Sequence, residues 1–489
     1  MMKRWKTVLL YLDMPLVGGN EEAKAWLEKT QARLEGIADE SYFLVREHDV
    51  TLPSLSSFRC ETGEEWLSWL EAFSPHTQVV IVPAFAPLLQ RSLIEEALEQ
   101  HNTYLFDYTY AELPRGLMGE VVDSSVASFL KRSLPKGAKM FSWSLKEWLG
   151  QDLSSYDCNI LYTSVRLLEY RLSFLPENVY QERVLRAMIE RGEGFDTLLS
   201  IQEWLESHPS VLRQTPTYVE VELTTLHESD GPFVKDLPRN GEMSAKHLCR
   251  LFEEMDEAFP DAVISFGLYG EVFVYSEWEK LLQEIAQRPK RRFLLESRGI
   301  FLSEKRLKDA LSLPNVEVIV DVSTSSPELF SRWKKPSSAI FPFEGLSSLD
   351  VLHRFADNPR LFLQITRCTE NDKEIMAFYQ AWKDFGQRII IRKPDSLGGK
   401  HLFYRVVDLS PIKRTPCISL QRNLVVFFDG TVPLCRQDVE GKYAVGNVFV
   451  DGLKACWERL SPAYEKQFSM KGISTPLCEN CDDWWIFSL

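Results

Sequence analysis

The chain has 489 residues, a formal net charge of −14 at pH 7 and 45% hydrophobic residues. This length and composition indicate two to four domains with packed cores and exclude a disordered chain. The negative charge argues against non-specific binding to nucleic acid or to anionic membranes. The N-terminal apolar run is too short for a secretory signal, and no stretch reaches the roughly 18 apolar residues of a membrane span. We therefore expect a cytoplasmic protein with no nucleic-acid partner and no membrane contact.

The first part of the chain, residues 1–207, predicts an α/β domain. Apolar runs at 7–13 and 78–85 predict buried strands, and the patterns at 21–37 and 88–101 predict helices. This alternation favours a mostly parallel sheet. Further helices are predicted near residues 122–132, 178–191 and 196–207. Two prolines within residues 208–217 indicate a linker.

From residue 218 the alternation of strands and helices becomes regular. Strands are predicted at 218–223, 262–267, 292–297, 316–323, 360–366 and 387–393, with helices at 244–259, 277–287, 304–312 and 373–385. Ser244 is a candidate N-cap for the first of these helices. Six β/α units are too few for a closed eight-unit barrel. Residues 218–414 therefore predict an open, partial (β/α)6 barrel.

The remaining segment, residues 415–489, predicts a small domain of short elements. Residues 422–434 predict a hairpin around an Asp-Gly turn. Residues 443–449 predict a short strand with a Gly-Asn turn, and residues 452–461 predict a helix.

Four cysteines of this segment have a spacing that is typical of a metal site. They are arranged as Cys417-x17-Cys435, 42 intervening residues, and then Cys478-x2-Cys481. Four thiolates suit a soft metal centre, either a [4Fe–4S] cluster or a tetrahedral zinc ion, and the spacing leaves both open. The alternative is four unrelated buried thiols. The other five cysteines are scattered and are predicted to be buried thiols: Cys60, Cys158, Cys249, Cys368 and Cys456.

The cysteine segment resembles a known domain. Cys417, Gly430 and Cys435 follow the opening pattern of the SPASM domain of radical SAM enzymes, and residues 443–460 resemble that domain's Gly-Asn turn and tryptophan-bearing helix. No cysteine follows Cys481, so the tail is similar to the shortened, one-cluster form called a twitch domain. The resemblance implies one auxiliary [4Fe–4S] cluster, held by Cys417, Cys435, Cys478 and Cys481.

The central region resembles a radical SAM barrel. Gly267, Gly270 and Glu271 match the family's Gly-Gly-Glu loop, which binds the amino group of S-adenosylmethionine (SAM). The resemblance implies a SAM-like loop at these residues, with a solvated loop carboxylate as the alternative for Glu271.

The catalytic loop of that family has no counterpart in this chain. Residues 226–230 hold no cysteine, and no C-x3-C-x2-C motif occurs anywhere in the sequence. Reductive cleavage of SAM needs a cluster iron left open by three thiolate ligands, so we do not expect ordinary radical SAM chemistry. His227, Glu228 and Asp230 offer ligands for a hard metal ion, but we expect a solvated polar loop instead.

The N-terminal domain resembles nucleotide-sugar-forming cytidylyltransferases in residues 78–98 and 101–122. Those enzymes hold Mg²⁺ with an aspartate at a strand end where this chain has Phe85, so we expect a retained fold without catalysis. Asp107 and Glu112 are candidates to line a pocket. Together, the three resemblances are those of the spiro-SPASM family.

Three hypotheses of function remain. The first is an iron–sulfur protein that binds a protein or peptide partner or transfers electrons. The second is a divergent enzyme, either a nucleotidyl or glycosyl transferase or an unusual SAM-binding enzyme. The third is a protein with a zinc ion that only stabilises the fold.

Overall fold

The computed structural model describes residues 6–46, 48, 50, 52, 54–142, 144–150, 152–191, 194–227, 237–299, 302–333, 346–469 and 473–485. The chain divides into two compact units, Met1–Gln214 and Thr215–Leu489. The finer division at residues 207, 217 and 414 stays a prediction. In the described ranges, no helix is long and apolar enough to cross a membrane.

The first unit contains a mixed sheet of seven strands within the described ranges. The strands are β1 Thr7–Leu12, β2 Glu40–Val45, β3 Ser56–Arg59, β4 Gln78–Pro83, β5 Tyr108–Ala111, β6 Glu120–Asp123 and β7 Cys158–Leu161. Their order is β3-β2-β1-β4-β6-β5-β7, and only β6 runs antiparallel to its neighbours. The predicted α/β class with a mostly parallel sheet is confirmed.

Seven described helices accompany these strands; five lie close to the predicted positions, and α2 and α5 were not predicted. They are α1 Asn20–Arg33, α2 Gly63–Glu71, α3 Arg91–Tyr104, α4 Val126–Ser133, α5 Lys146–Leu149, α6 Val179–Arg191 and α7 Leu198–Ser207. The start of α2 shows why a helix begins there. The Thr62 hydroxyl accepts the N–H of Glu65, and the Glu65 carboxylate accepts the N–H of Thr62, so two otherwise unpaired donors are satisfied.

The second unit contains a parallel sheet of seven described strands. Six of them are the predicted strands: β8 Tyr218–Val221, β9 Val263–Phe266, β10 Phe293–Ser297, β11 Val316–Asp321, β12 Leu361–Thr366 and β13 Ile389–Arg392. The seventh is β14 Asn423–Val426, which comes from the cysteine segment. The order is β13-β12-β11-β10-β9-β8-β14, so the tail continues the sheet beside β8.

The predicted hairpin at residues 422–434 is wrong in its pairing. The turn exists, because the N–H of Phe427 donates to the carbonyl of Thr431 across Gly430. However, β14 pairs with β8, and β15 Thr431–Val432 pairs with β16 Gly446–Asn447 instead. The predicted strand at 443–449 is also shorter than expected, because a helix begins at residue 448.

Helices of the second unit flank its sheet and its tail. They are α8 Ala245–Ala258, α9 Trp278–Ala286, α10 Glu304–Ser312, α11 Pro327–Trp333, α12 Ile375–Ala381, α13 Ile418–Arg422, α14 Val448–Asp451, α15 Leu453–Arg459, α16 Ser461–Ser469 and α17 Pro476–Glu479. Ser244 caps α8, since its hydroxyl accepts the N–H of His247. The tail packs on α8, where the N–H of Leu453 donates to Glu254.

Candidate metal centre

The four cysteines of the predicted metal site lie on different short elements of the tail. Cys417 is the N-cap of α13, and Cys435 follows β15. Cys478 lies in α17, and Cys481 follows that helix. All four are free thiols, so no disulfide competes for their sulfurs.

The thiols lie close enough to act on one another. Burial, with a smaller contribution from the charge of Cys478, raises the pKa of Cys417 to about 11. The pKa of Cys435 is raised well above its usual value by burial first and then by the charges of Cys417, Cys481 and Cys478. Burial, Asp483 and Cys417 raise the pKa of Cys481 to about 12. Burial thus favours the neutral thiol at these three cysteines, and a bound cation would favour the thiolate instead.

Each of the four sulfurs also has protein donors around it. The donors are the backbone N–H groups of Ser419 and Leu420 for Cys417, that of Gln437 for Cys435, those of Ser474 and Thr475 for Cys478, and that of Asp483 for Cys481 at 3.4 Å. Hydroxyl oxygens add to these contacts, at 3.5 Å to Cys478 and 3.7 Å to Cys481. Burial alone would raise the pKa of Cys478, yet its hydrogen bonds lower it below the usual value. Such donors stabilise thiolates, which are the form that binds a soft metal.

The donor chemistry therefore fits a thiolate-bound metal centre. Within the described ranges, no three His, Cys, Asp or Glu side chains are arranged to hold a single metal ion. The assignment of a metal centre to this place consequently rests on the chemical type, the burial and the hydrogen bonding of the four cysteine sulfurs.

Residues at the end of β13 fix the loop that follows Cys481. The Lys393 ammonium contacts Asp482 at 2.8 Å and Asp483 at 2.6 Å. The N–H of Ser396 donates to the Asp483 carboxylate at 3.0 Å, and the Ser396 hydroxyl reaches the Cys481 sulfur. The position of the last cysteine is thus set by a strand of the sheet.

Arg436, the residue after Cys435, forms a second link to the sheet. Its side chain is 9% exposed and contacts Glu220 of β8 at 2.8 Å and Asp395 at 3.3 Å. The hydroxyl of Tyr269 donates to the Arg436 carbonyl oxygen. Arg436 therefore connects the cysteine segment with the interior of the second unit.

A small polar cavity lies beside Arg436 at the carboxyl ends of the strands. Its volume is about 40 Å³, and its lining includes Glu296, Asp321, Arg392 and Asp395. A buried water needs on the order of 10–15 Å³ by this measure, so the cavity has room for about three water molecules.

The SAM-like loop residues are tightly packed against neighbouring strand ends. Gly267 has φ +129° and lines the cavity, and a Cβ there would lie 2.3 Å from the Glu296 carbonyl oxygen. A Cβ at Gly270 would lie 1.7 Å from the Thr224 carbonyl oxygen. Both positions therefore require glycine.

The carboxylate of Glu271 is buried at 0% exposure, so the alternative of a solvated carboxylate is wrong. It accepts hydrogen bonds from the Phe273 N–H, the Ser297 hydroxyl and the Arg298 N–H. These contacts join the loop to the end of β10. The assignment of Gly267, Gly270 and Glu271 to SAM binding stays a prediction.

The polar loop that begins at residue 226 is only partly described. His227 is 6% exposed and its Nδ1 lies 2.7 Å from the Thr225 carbonyl oxygen, so the expectation of a solvated side chain is wrong for this residue. Glu228 and Asp230 lie outside the described residues. Their part in a hard-metal site stays a prediction.

In the first unit, a pocket of about 110 Å³ lies at the carboxyl ends of β1 and β4. Its lining includes Tyr110, Arg115 and Glu120, but not the predicted Asp107 and Glu112. Asp107 instead accepts the N–H of Asp157, and Glu112 pairs with Lys146.

Comparison with known families identifies the cysteine segment. Residues 417–482 match the SPASM family, described as an iron-sulfur cluster-binding domain. The chain carries a SPASM domain. The matched range contains all four cysteines, so the prediction of a SPASM-type tail is confirmed.

Other comparisons extend beyond the SPASM domain. An uncharacterized protein of Treponema pallidum (strain Nichols) is 26% identical over 359 residues, which cover 70% of this chain and 98% of that protein. BtrN in complex with AdoMet and 2-DOIA is 18% identical, with a TM-score of 0.35, over 55% of this chain and 94% of that one. A cytidylyltransferase from Leptospira borgpetersenii serovar Hardjo-bovis (strain JB197) is 12% identical, with a TM-score of 0.35, over 43% of this chain and 98% of that one.

Proposed function

We propose that the SPASM domain holds one [4Fe–4S] cluster on Cys417, Cys435, Cys478 and Cys481, and that the protein transfers electrons. The observation that carries this proposal is the set of hydrogen-bond donors around all four sulfurs. Donors to thiolate sulfur stabilise added negative charge and so tune a cluster for reduction. When bound, the cluster supplies one-electron transfer.

The proposed role does not include SAM cleavage. The sequence has no C-x3-C-x2-C motif for a cluster with an open iron. The carboxylate of Glu271 is engaged by Phe273, Ser297 and Arg298, which supports a role in holding the strand ends together. A protein or peptide partner in the cytoplasm is the proposed exchange partner, and the charge of −14 disfavours nucleic acid.

Metal analysis tests the cluster directly. The protein is purified anaerobically, and iron, acid-labile sulfide and zinc are measured together with the absorption spectrum. We expect about four iron and four sulfide per chain, since each [4Fe–4S] cluster takes four cysteines. Cys478→Ser should lose most of the iron, whereas Cys456→Ser should keep it, because Cys456 is a buried free thiol of the same segment outside the set of four.

Three outcomes would contradict the proposal. Zinc without iron would indicate a structural site instead. About eight iron per chain would indicate a second cluster and reopen SAM chemistry. Equal iron in the Cys478→Ser variant and the wild type would show that this cysteine is not a ligand.

A further inference from the structure

A buried carboxylate oxygen next to the SPASM domain and a buried guanidinium nitrogen within it have no hydrogen-bond partner in the described part of the chain. They are Oε1 of Glu220 and Nε of Arg436. Glu220 is 2% exposed, and its other oxygen, Oε2, contacts Arg436 at 2.8 Å. An ionised carboxylate oxygen left unpaired in a buried place costs free energy, and a proton on that oxygen removes the charge.

The surroundings of Glu220 include charges of both signs. The facing groups are Arg436 from the cysteine segment, Glu296 from β10, Arg392 and Asp395 at the end of β13, and Tyr218 on β8 itself. Burial raises the pKa of Glu220 to about 7; Arg436 opposes this shift, and Glu296 and Asp395 add to it. The carboxyl group is therefore balanced between its two protonation states near neutral pH, where one added charge nearby changes its state.

We propose that Glu220 takes up one proton when the neighbouring cluster takes up one electron, so that this protein couples electron transfer to proton transfer. The inference rests on the proposed function. A low-potential one-electron donor gives up the electron, which enters the cluster. A hydronium ion of the solvent gives its proton to Oε1 of Glu220. One O–H bond of hydronium breaks and one O–H bond forms on the carboxylate, so that neutral water and a neutral carboxylic acid result. The total charge of the buried region is then unchanged.

The geometry joins Glu220 to the cysteine segment through one side chain. Arg436 is adjacent in sequence to the proposed ligand Cys435, and its guanidinium contacts Glu220 at 2.8 Å. Arg436 and Glu296 also line the cavity of about 40 Å³. The cavity has room for water beside the guanidinium that contacts Glu220, and in the proposed coupling this water relays the proton from the solvent.

The same strand offers a matched control. Glu222 lies two residues after Glu220, is 0% exposed, and likewise pairs with an arginine. Both of its oxygens are bound by Arg239, at 2.7 and 2.8 Å. Burial raises the pKa of Glu222 as well, but the two hydrogen bonds from Arg239 pair both oxygens of the ionised form, so we assign it no part in the coupling.

The test is a redox titration of the anaerobically purified full-length protein between pH 6 and pH 9, followed by the cluster's absorption. In the wild type, the midpoint potential should fall with rising pH, by up to about 59 mV for each tenfold change in proton concentration. Glu220→Gln should show no such fall and should keep the wild type's low-pH potential, because glutamine resembles the protonated acid. Glu222→Gln should keep the wild-type slope.

A second measurement needs only the wild type. The infrared difference spectrum of reduced minus oxidised protein should gain a protonated carboxyl band that shifts in D₂O. A wild-type potential independent of pH, an unchanged slope in Glu220→Gln or no carboxyl band would overturn the coupling alone. Protein without iron would overturn the proposed function and the coupling with it.

Discussion

At the scale of single residues, Glu220 makes the stability of the second unit depend on pH. Its pKa is about 7 in the folded chain against a usual value of 4.5, so the folded state binds the proton more tightly than the unfolded state. The protonated Glu220 side chain therefore stabilises the folded state. Its contribution to the free energy of unfolding is complete below about pH 4.5 and is lost as pH rises through 7. A shift of this size corresponds to about 3 kcal/mol.

The measurement compares urea unfolding of the wild type and Glu220→Gln at pH 5 and pH 8. We expect the wild type to lose stability relative to the variant between these two values, since glutamine does not ionise. Equal changes in both proteins would show that Glu220 does not carry the effect.

The difference between the cysteines and Glu220 shows what sequence can reveal about single residues. The four cysteines could be found because a C-x2-C pair and a second pair around a turn are local patterns. Glu220 and Arg436 are far apart in the chain, and nothing in the spacing links them. Their contact exists only because β14 brings the segment before Arg436 beside β8.

At the scale of elements, β14 joins the SPASM domain to the sheet. Leu424 of β14 is 0% exposed and pairs in register with Val219 of β8. Leu424→Ala removes buried methyl groups and leaves a cavity, so we expect a loss of about 2–5 kcal/mol in the free energy of unfolding. Val450→Ala in the same segment should change stability little, because Val450 is 82% exposed.

Circular dichroism in a urea titration checks this prediction on both variants. Equal unfolding midpoints for Leu424→Ala and Val450→Ala would mean that the burial of the Leu424 side chain contributes nothing to the stability of the unit.

Most strands that sequence could predict are runs of mainly apolar residues that are buried on both faces. This holds for β1, β4 and the strands from β8 to β12, whereas β13 is an apolar run that is only partly buried. Strands β2, β3, β5, β6 and β7 were not predicted. Of these, β3 has the polar sequence SSFR, and β6 ends inside the segment near residues 122–132 that was predicted as a helix. The pairing of β14 escaped because an Asp-Gly turn favours a local hairpin, whereas β8 offered an edge that is distant in sequence.

At the scale of the whole molecule, the first unit has its own sheet and buried core. Strands β1 and β4 are almost fully buried within it, and Met188 of α6 and Ile201 of α7 are 0% exposed. A chain of this length buries enough surface to fold alone. We therefore expect residues 1–214 to fold as a separate protein with a cooperative urea transition.

A shorter fragment, residues 1–157, provides the control for this last prediction. It lacks β7, α6 and α7, so the buried faces that these elements cover would be open to water. The shorter fragment should therefore unfold without a cooperative transition or aggregate, while residues 1–214 stay monomeric and folded by circular dichroism. If residues 1–214 also lack a cooperative transition, the core of the first unit depends on residues beyond 214, and the division of the chain into two independently folding units fails.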